Sequence, residues 1–135
     1  MKLLFDTDVL LDVLTERRPH YASSAQALSL VERDKAEGLV TAHAVTTIYY
    51  LLTRHLNKRK AMEAVGLLLD LLGVAAIEGK TLKHALSLGW RDFEDAVTAA
   101  AAVRAGASHL ITRNTKDFKP LPIRVATPEE FLLLP

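Results

Sequence analysis

Short apolar runs alternate along the chain with longer stretches in which apolar residues recur every three or four positions. Leu3-Leu4-Phe5 is apolar at consecutive positions, as in a strand covered on both faces. Val9, Leu10, Val13 and Leu14 then fall at helical spacing, with Asp8 placed to cap the turn before them. Arg17-Arg18-Pro19 ends that helix, because the residue before a proline is driven out of the helical region. A second helix is predicted over residues 21–36, stopped by Gly38, and a second strand over 39–42. Helices follow at 45–55 and 57–72, the latter closed by Gly73, with a third strand at 74–77. A short helix at 81–88 ends at Gly89, and a longer one at 92–105 ends at Gly106. A fourth strand at 108–112 and a short fifth at 123–125 complete the pattern. The final helix opens on Thr127-Pro128-Glu129-Glu130, with Thr as cap, Pro in the first turn and Glu130 closing a capping box.

Strands separated by helices imply right-handed crossovers. The expected fold is therefore one α/β domain over residues 1–135, with a mostly parallel sheet of four to five strands between two helical layers. Ligands of such sheets bind beyond the carboxyl ends of the strands. That edge is where Asp6, the residue after the first strand, is expected to stand.

Composition narrows the choices. A length of 135 residues, half of them hydrophobic and 24% charged, suits one globular core. The formal net charge of +1 supplies no global attraction for nucleic acid or membrane, so any such attraction is local. The chain has no cysteine, which excludes disulfides and thiolate metal sites and fits a cytoplasmic location. Only three apolar residues follow Lys2, too few for a secretory signal, and the apolar run at 65–72 contains Asp70 and is too short to span a bilayer.

Three stretches bring polar groups to the predicted functional edge: Asp6-Thr7-Asp8, "RDFED" from Arg91 to Asp95, and "ITRNTKDF" from Ile111 to Phe118. If Asp6, Asp92, Asp95 and Asp117 converge, their charges repel, and the carboxylates take up protons or bind a cation. A hard ion such as Mg²⁺ or Mn²⁺ suits one or two carboxylates plus waters and phosphate oxygens. Asp6 carries the most weight, since a carboxylate ending an apolar strand is costly unless solvated, paired or metal-bound. Asp8 reads as a helix cap and Asp12 as part of an exposed helical face. Asp92 and Asp95, at i and i+3, suit a capping pair or a shared site equally well. Thr112 and Asn114 can equally be turn formers. His20, His43, His55 and His84 show no paired ligand spacing, and His109 falls inside a strand. The basic run from Arg54 to Lys60 reads as a solvated helix junction or a guide for an acidic partner.

With these residues in place, the chain resembles the PIN-domain family, which includes the VapC-type toxin ribonucleases. "LLFDTDVLLD" is similar to the family's opening strand and first acid, Asp6. "DFEDAVTAAAA" is similar to the helix start bearing another site acid, Asp95, and "LITRNTKDF" to the stretch after the fourth strand, with Thr112 and Asn114 in the usual positions and Asp117 after them. One departure stands out: Thr47 occupies the place of the family's usual Glu. The resemblance implies metal-dependent hydrolysis of RNA. On that reading Asp6 and Asp95 hold one Mg²⁺ or Mn²⁺ directly, while Asn114, Asp92 and Asp117 bind through waters. Thr7, Asp8, Thr47 and Thr112 stand behind the ligands, and Arg91, Arg113 and Lys116 hold flanking phosphates or are plain surface charge. A homodimer and a small antitoxin that enters the acidic groove are also implied.

Two rival readings remain at this point. Asp6-Thr7-Asp8 also comes near the opening of haloacid-dehalogenase-type phosphatases, where Asp6 would be a nucleophile and Asp8 the acid/base. Alternatively, with Thr47 in place of an acid, the chain is a catalytically weak or inactive scaffold that binds RNA or protein.

Overall fold

The structure is a computed structural model that describes residues 1–134. Five strands form one parallel sheet: β1 (Lys2–Phe5), β2 (Glu37–Thr41), β3 (Gly73–Ala75), β4 (His109–Ile111) and β5 (Arg124–Ala126), in the order β3-β2-β1-β4-β5. Seven α-helices connect and follow them: α1 (Thr7–Leu14), α2 (Tyr21–Glu32), α3 (Ala42–His55), α4 (Lys58–Leu71), α5 (Gly79–Ser87), α6 (Phe93–Arg104) and α7 (Pro128–Leu132). The expected α/β architecture is therefore present, with five strands, the upper end of the expected range, all of them parallel.

β1 is central, which is why its side chains are apolar on both faces. Leu3 and Phe5 enter a core with Val9 and Leu10 of α1, Leu28 of α2, Ile48 of α3 and Phe131 of α7. Leu4, between them, points to the other layer and packs with Ala99 and Ala102 of α6 and Leu110 of β4. The alternation follows from the two-residue period of a strand. Of these, the fully buried Leu3, Leu4, Phe5, Val9, Leu10, Ile48 and Leu110 each contribute on the order of 1.5–3 kcal/mol. The run of alanines in α6 serves close approach: α6 lies between the sheet and α5, where Ala85 meets Ala96 and Ala100.

Several expected boundaries move. α2 ends at Glu32 rather than near residue 36, and Asp34, at φ 56°, turns the chain into β2. Gly38 is no helix stop; it lies inside β2, opposite Leu3. A Cβ there would sit 2.6 Å from Leu72 Cδ2 and 2.8 Å from Val31 Cγ2, so packing of α2 and α4 against the strand requires the glycine. Gly73 likewise begins β3 rather than closing α4. α3 starts earlier than expected because Thr41 Oγ1 accepts from the Ala44 N–H and caps it. The capping box of Thr127 and Glu130 forms as expected.

The strand order reverses direction at β1. From β1 the chain moves outward to β2 and β3, then returns to β4 on the other side. A crevice therefore opens at the carboxyl ends of β1 and β4, the place where parallel sheets bind ligands.

Candidate active site

Asp6 follows β1 directly and Thr112 follows β4, so the two flank this crevice. The Asp6 backbone N–H donates to the Ile111 carbonyl at 2.9 Å, continuing the β1–β4 pairing one step past the strands. Thr112 Oγ1 donates to Asp6 Oδ2 at 2.9 Å. The Thr7 N–H donates to Asp6 Oδ1 at 2.8 Å, which makes Asp6 the cap of α1. This corrects the sequence expectation, which gave the cap to Asp8. The chain turns into the helix immediately after the strand, so the cap position falls on the acid that ends the strand.

Asp8, in the first turn of α1, instead receives the loop after β4. Its Oδ2 accepts from the Arg113 N–H at 3.3 Å and from Asn114 Nδ2 at 3.1 Å. Asn114 N–H donates in turn to Thr112 Oγ1 at 3.2 Å. Asp8 Oδ1 is buried and has no hydrogen-bond partner among the described residues. Asp6, Asp8, Thr112 and Asn114 thus form one connected cluster. Thr7 contributes its backbone N–H to it.

The second acidic group stands at the start of α6. Asp92 caps that helix, its Oδ1 accepting from the Asp95 N–H at 3.1 Å. The cap expected at Asp92 is therefore present, and it leaves the Asp95 carboxyl in the first turn free to face the crevice acids. Burial pushes the Asp95 carboxyl up to about 7, and the charges of Asp92, Asp6, Asp117 and Glu94 push in the same direction. Burial likewise raises Asp6, against the hydrogen bonds from Thr112 and Thr7, and Glu94 and Asp92 add to the rise. Asp8 is pushed up to about 6 by burial and then by Asp6. The charges of Asp6 beside α1, of Asp92 and Glu94 at the start of α6 and of Asp117 in the turn at Thr115–Asp117 therefore all act on Asp95.

Among the described residues, no three His, Asp or Glu side chains are already closed around one point. The donor set nevertheless fits a hard divalent ion. The groups are carboxylate and amide oxygens, the charges that act on Asp95 are all negative, and the buried Asp8 Oδ1 has an unused lone pair. An ion that keeps most of its waters needs only one or two of them directly.

Other expected site residues divide. Arg91 and Lys116 are exposed and open to a phosphate. Arg113 points inward: its Nε lies 2.9 Å from Asp12 Oδ2. Asp12 is not on an exposed face, as expected from sequence, but wholly buried, with Ser24 Oγ donating to its Oδ2 at 3.3 Å and Arg17 Nε 3.7 Å from its Oδ1. A usable signal existed, because Asp8 and Asp12 stand at i and i+4 and share the helix face that meets the loop. Thr47 Oγ1 donates to the His43 carbonyl of its own helix at 3.2 Å. His43, given no role from sequence, lies with Nε2 3.4 Å from Thr98 Oγ1, and its burial holds the imidazole below its usual range. His109 is packed as expected, edge-on to Phe131 at 5.1 Å.

A cleft of about 660 Å³ opens beside Asp95, with Trp90, Phe93, Arg91 and Lys119 on its walls. No helix among the described residues is long and apolar enough to cross a membrane.

Comparison with known proteins agrees with this fold. The ribonuclease VapC1 of Aquifex aeolicus (strain VF5) is 29% identical over 135 residues, spanning 96% of this chain and 92% of that protein. A toxin–antitoxin complex from Klebsiella pneumoniae contains a chain that superposes with a TM-score of 0.72 at 25% identity, over 93% of this chain and 97% of that one. VapBC2 from Rickettsia felis, bound to a DNA fragment from its promoter, matches in fold with a TM-score of 0.73 at 17% identity, over 93% and 97%. The family model described as PIN domain matches residues 2–116. That span holds every acid of the crevice except Asp117, and it leaves the phosphatase reading without support: the chain belongs to the PIN-domain family.

Proposed function

We propose that this chain is a divalent-metal-dependent endoribonuclease, the toxin of a toxin–antitoxin pair, acting in the cytoplasm with Mg²⁺ or Mn²⁺. The observation that carries the reading is the gathering of carboxylates at the carboxyl edge of the sheet, where Thr112 and the Thr7 N–H hold Asp6 and where the charges of Asp6, Asp92 and Asp117 reach Asp95. The similarity to a ribonuclease and to chains of toxin–antitoxin complexes supports the RNA substrate and the antitoxin partner.

Asp6 and Asp95 would hold the ion, with Asp92, Asn114 and Asp117 reached through waters. The bound cation would activate a water and stabilise negative charge on the phosphodiester. The chain's own residues prepare that site. Thr112 fixes one Asp6 oxygen and the Thr7 N–H the other, so the carboxylate is held in one orientation. Asn114 is tied to Asp8, which keeps the loop after β4 against α1. Arg91 and Lys116 lie exposed beside the acids and would take flanking phosphates.

A second reading has one observation in its favour. Thr47 supplies no charge and turns its hydroxyl to its own helix, which suits a weak enzyme or an RNA-binding scaffold. One assay separates the two: cleavage of single-stranded RNA with Mn²⁺, with chelator, and by the Asp6→Asn and Asp95→Asn variants. The ribonuclease reading expects cleavage that requires the ion and both acids. RNA binding without cleavage under every condition supports the scaffold, and cleavage that survives chelator rejects the metal mechanism.

A further inference from the structure

Three of the four phenylalanines are buried: Phe5 at 0%, Phe131 at 6% and Phe118 at 8% exposure. Phe93 is 46% exposed. It is the first residue of α6, next to the cap Asp92 and two positions before Asp95. Close to half of the residue is therefore open to water at the edge of the crevice, unlike the other three phenylalanines. The same cleft is lined by Trp90, half-buried, with its indole held edge-on to Phe118 at 5.8 Å and 87°. That contact anchors the indole to the core and fixes one wall of the cleft. Arg91 and Lys119 bring two exposed cations to the same walls.

The electrostatics of the crevice require something of this kind. Asp92, Asp95 and Asp117 repel a polyanion until a cation neutralises them, so a nucleic-acid strand needs attraction from other groups to remain seated. Aromatic faces attract every base without regard to sequence, and exposed cations hold the flanking phosphates. Both lie within one cleft that also includes Asp95.

Resting on the ribonuclease reading above, we propose that the cleft walled by Trp90 and Phe93 is a base-binding subsite for single-stranded RNA. It stacks the base of a nucleotide next to the bond to be cut on the Phe93 ring, while Arg91 and Lys119 hold the adjoining phosphates.

The test uses the chain's single tryptophan, Trp90, as the reporter. The full chain is titrated in chelator at low salt with a single-stranded hexaadenylate, and separately with an abasic ribose-phosphate hexamer of the same length. The base-bearing oligomer is expected to quench the Trp90 fluorescence saturably and to bind about tenfold tighter than the abasic one. Phe93→Ala removes most of that difference and Phe93→Tyr restores it, while both variants unfold within a few degrees of the parent because the ring is exposed. Equal affinity for the two oligomers, or hexaadenylate affinity unchanged by Phe93→Ala, overturns the proposal. Phe93→Ala that leaves RNA affinity and cleavage intact but weakens binding of a purified antitoxin also overturns it, assigning the ring to a protein partner. The two readings fail separately. A chain that stacks bases but never cleaves with Mn²⁺ keeps the subsite and loses the nuclease, whereas a Mn²⁺-dependent nuclease indifferent to Phe93→Ala loses only the subsite.

Discussion

Asp12 and Arg113, from opposite ends of the chain, meet at 2.9 Å with the Asp12 side chain wholly buried and that of Arg113 24% exposed. The pair pins the loop after β4 to α1. Thr112 and Asn114, on either side of Arg113, are then placed to hydrogen-bond Asp6 and Asp8. Removing one partner leaves a charge in a poorly solvated place, which costs about 3–5 kcal/mol, whereas a pair removed together costs less. Asp12→Asn and Arg113→Met are each expected to destabilise the fold by several kcal/mol in urea unfolding. The double variant should lose at least about 1 kcal/mol less than the sum of the two. Strict additivity would mean that Arg17 and Ser24 satisfy Asp12 without Arg113.

Asp6 serves two purposes, and two substitutions separate them. Asn remains a good helix cap, so Asp6→Asn should abolish cleavage, by at least about a hundredfold, with stability changed by less than about 1 kcal/mol. Asp6→Ala should lose the cap as well and cost roughly 1 kcal/mol more. Thermal unfolding beside an RNA-cleavage assay reads both effects.

Stability in the absence of metal should fall as pH rises. Asp95 titrates near 7 and Asp8 near 6 in the folded chain, both above their usual 3.8. Between those limits the folded state holds protons that the unfolded chain has already released, so the native state is favoured at the acid end of the window. Asp95 is only partly buried, so solvent screens much of its effect, and the neutral imidazole of His43 works the other way below about pH 6.5. In chelator, Tm should therefore drop by on the order of a few degrees between about pH 6.5 and pH 8. Mn²⁺ needs the ionised acids, so its stabilising shift should be larger at pH 8 than at pH 5. A Tm that rises across this range in chelator would show that the carboxylates are better compensated than their surroundings indicate.

Gly38→Ala should destabilise the fold by about 1–3 kcal/mol, because the new methyl meets the stiff, buried Val31 side chain as well as Leu72. Truncating Val31 to Ala in the same chain should recover part of the loss. A Gly38→Ala variant as stable as the parent would mean that α2 can shift outward without cost.

Most of this architecture was legible in the sequence because it rests on local patterns. The apolar run of β1, the caps at Asn57, Asp92 and Thr127, and the left-handed Gly89 and Gly106 each act within a few residues of themselves. Asp6 could be singled out because a carboxylate ending an apolar strand is costly unless solvated, paired or metal-bound, whereas Asp95, in a helix's first turn where acids are common, was set apart only by the resemblance to the PIN-domain family. What the sequence concealed depends on the partner layer. Asp12 appears as an outward-facing acid until Arg113 arrives from far along the chain. Gly38 reads as a helix terminator until α2 and α4 close over it. Asp8 loses the capping role to Asp6 because strand and helix join without a spacer.

The strand order also has a consequence for synthesis. β1 leaves the ribosome first, but its neighbour on the crevice side, β4, starts only at His109. Through most of translation the Asp6 carboxylate therefore lacks the threonine that orients it, and the acids of α6 appear only shortly before. A nascent or prematurely terminated chain can pair β1 with β2 and bury much of one face, yet it has no assembled crevice. The order of emergence thus leaves the acidic crevice unassembled until β4 has been made.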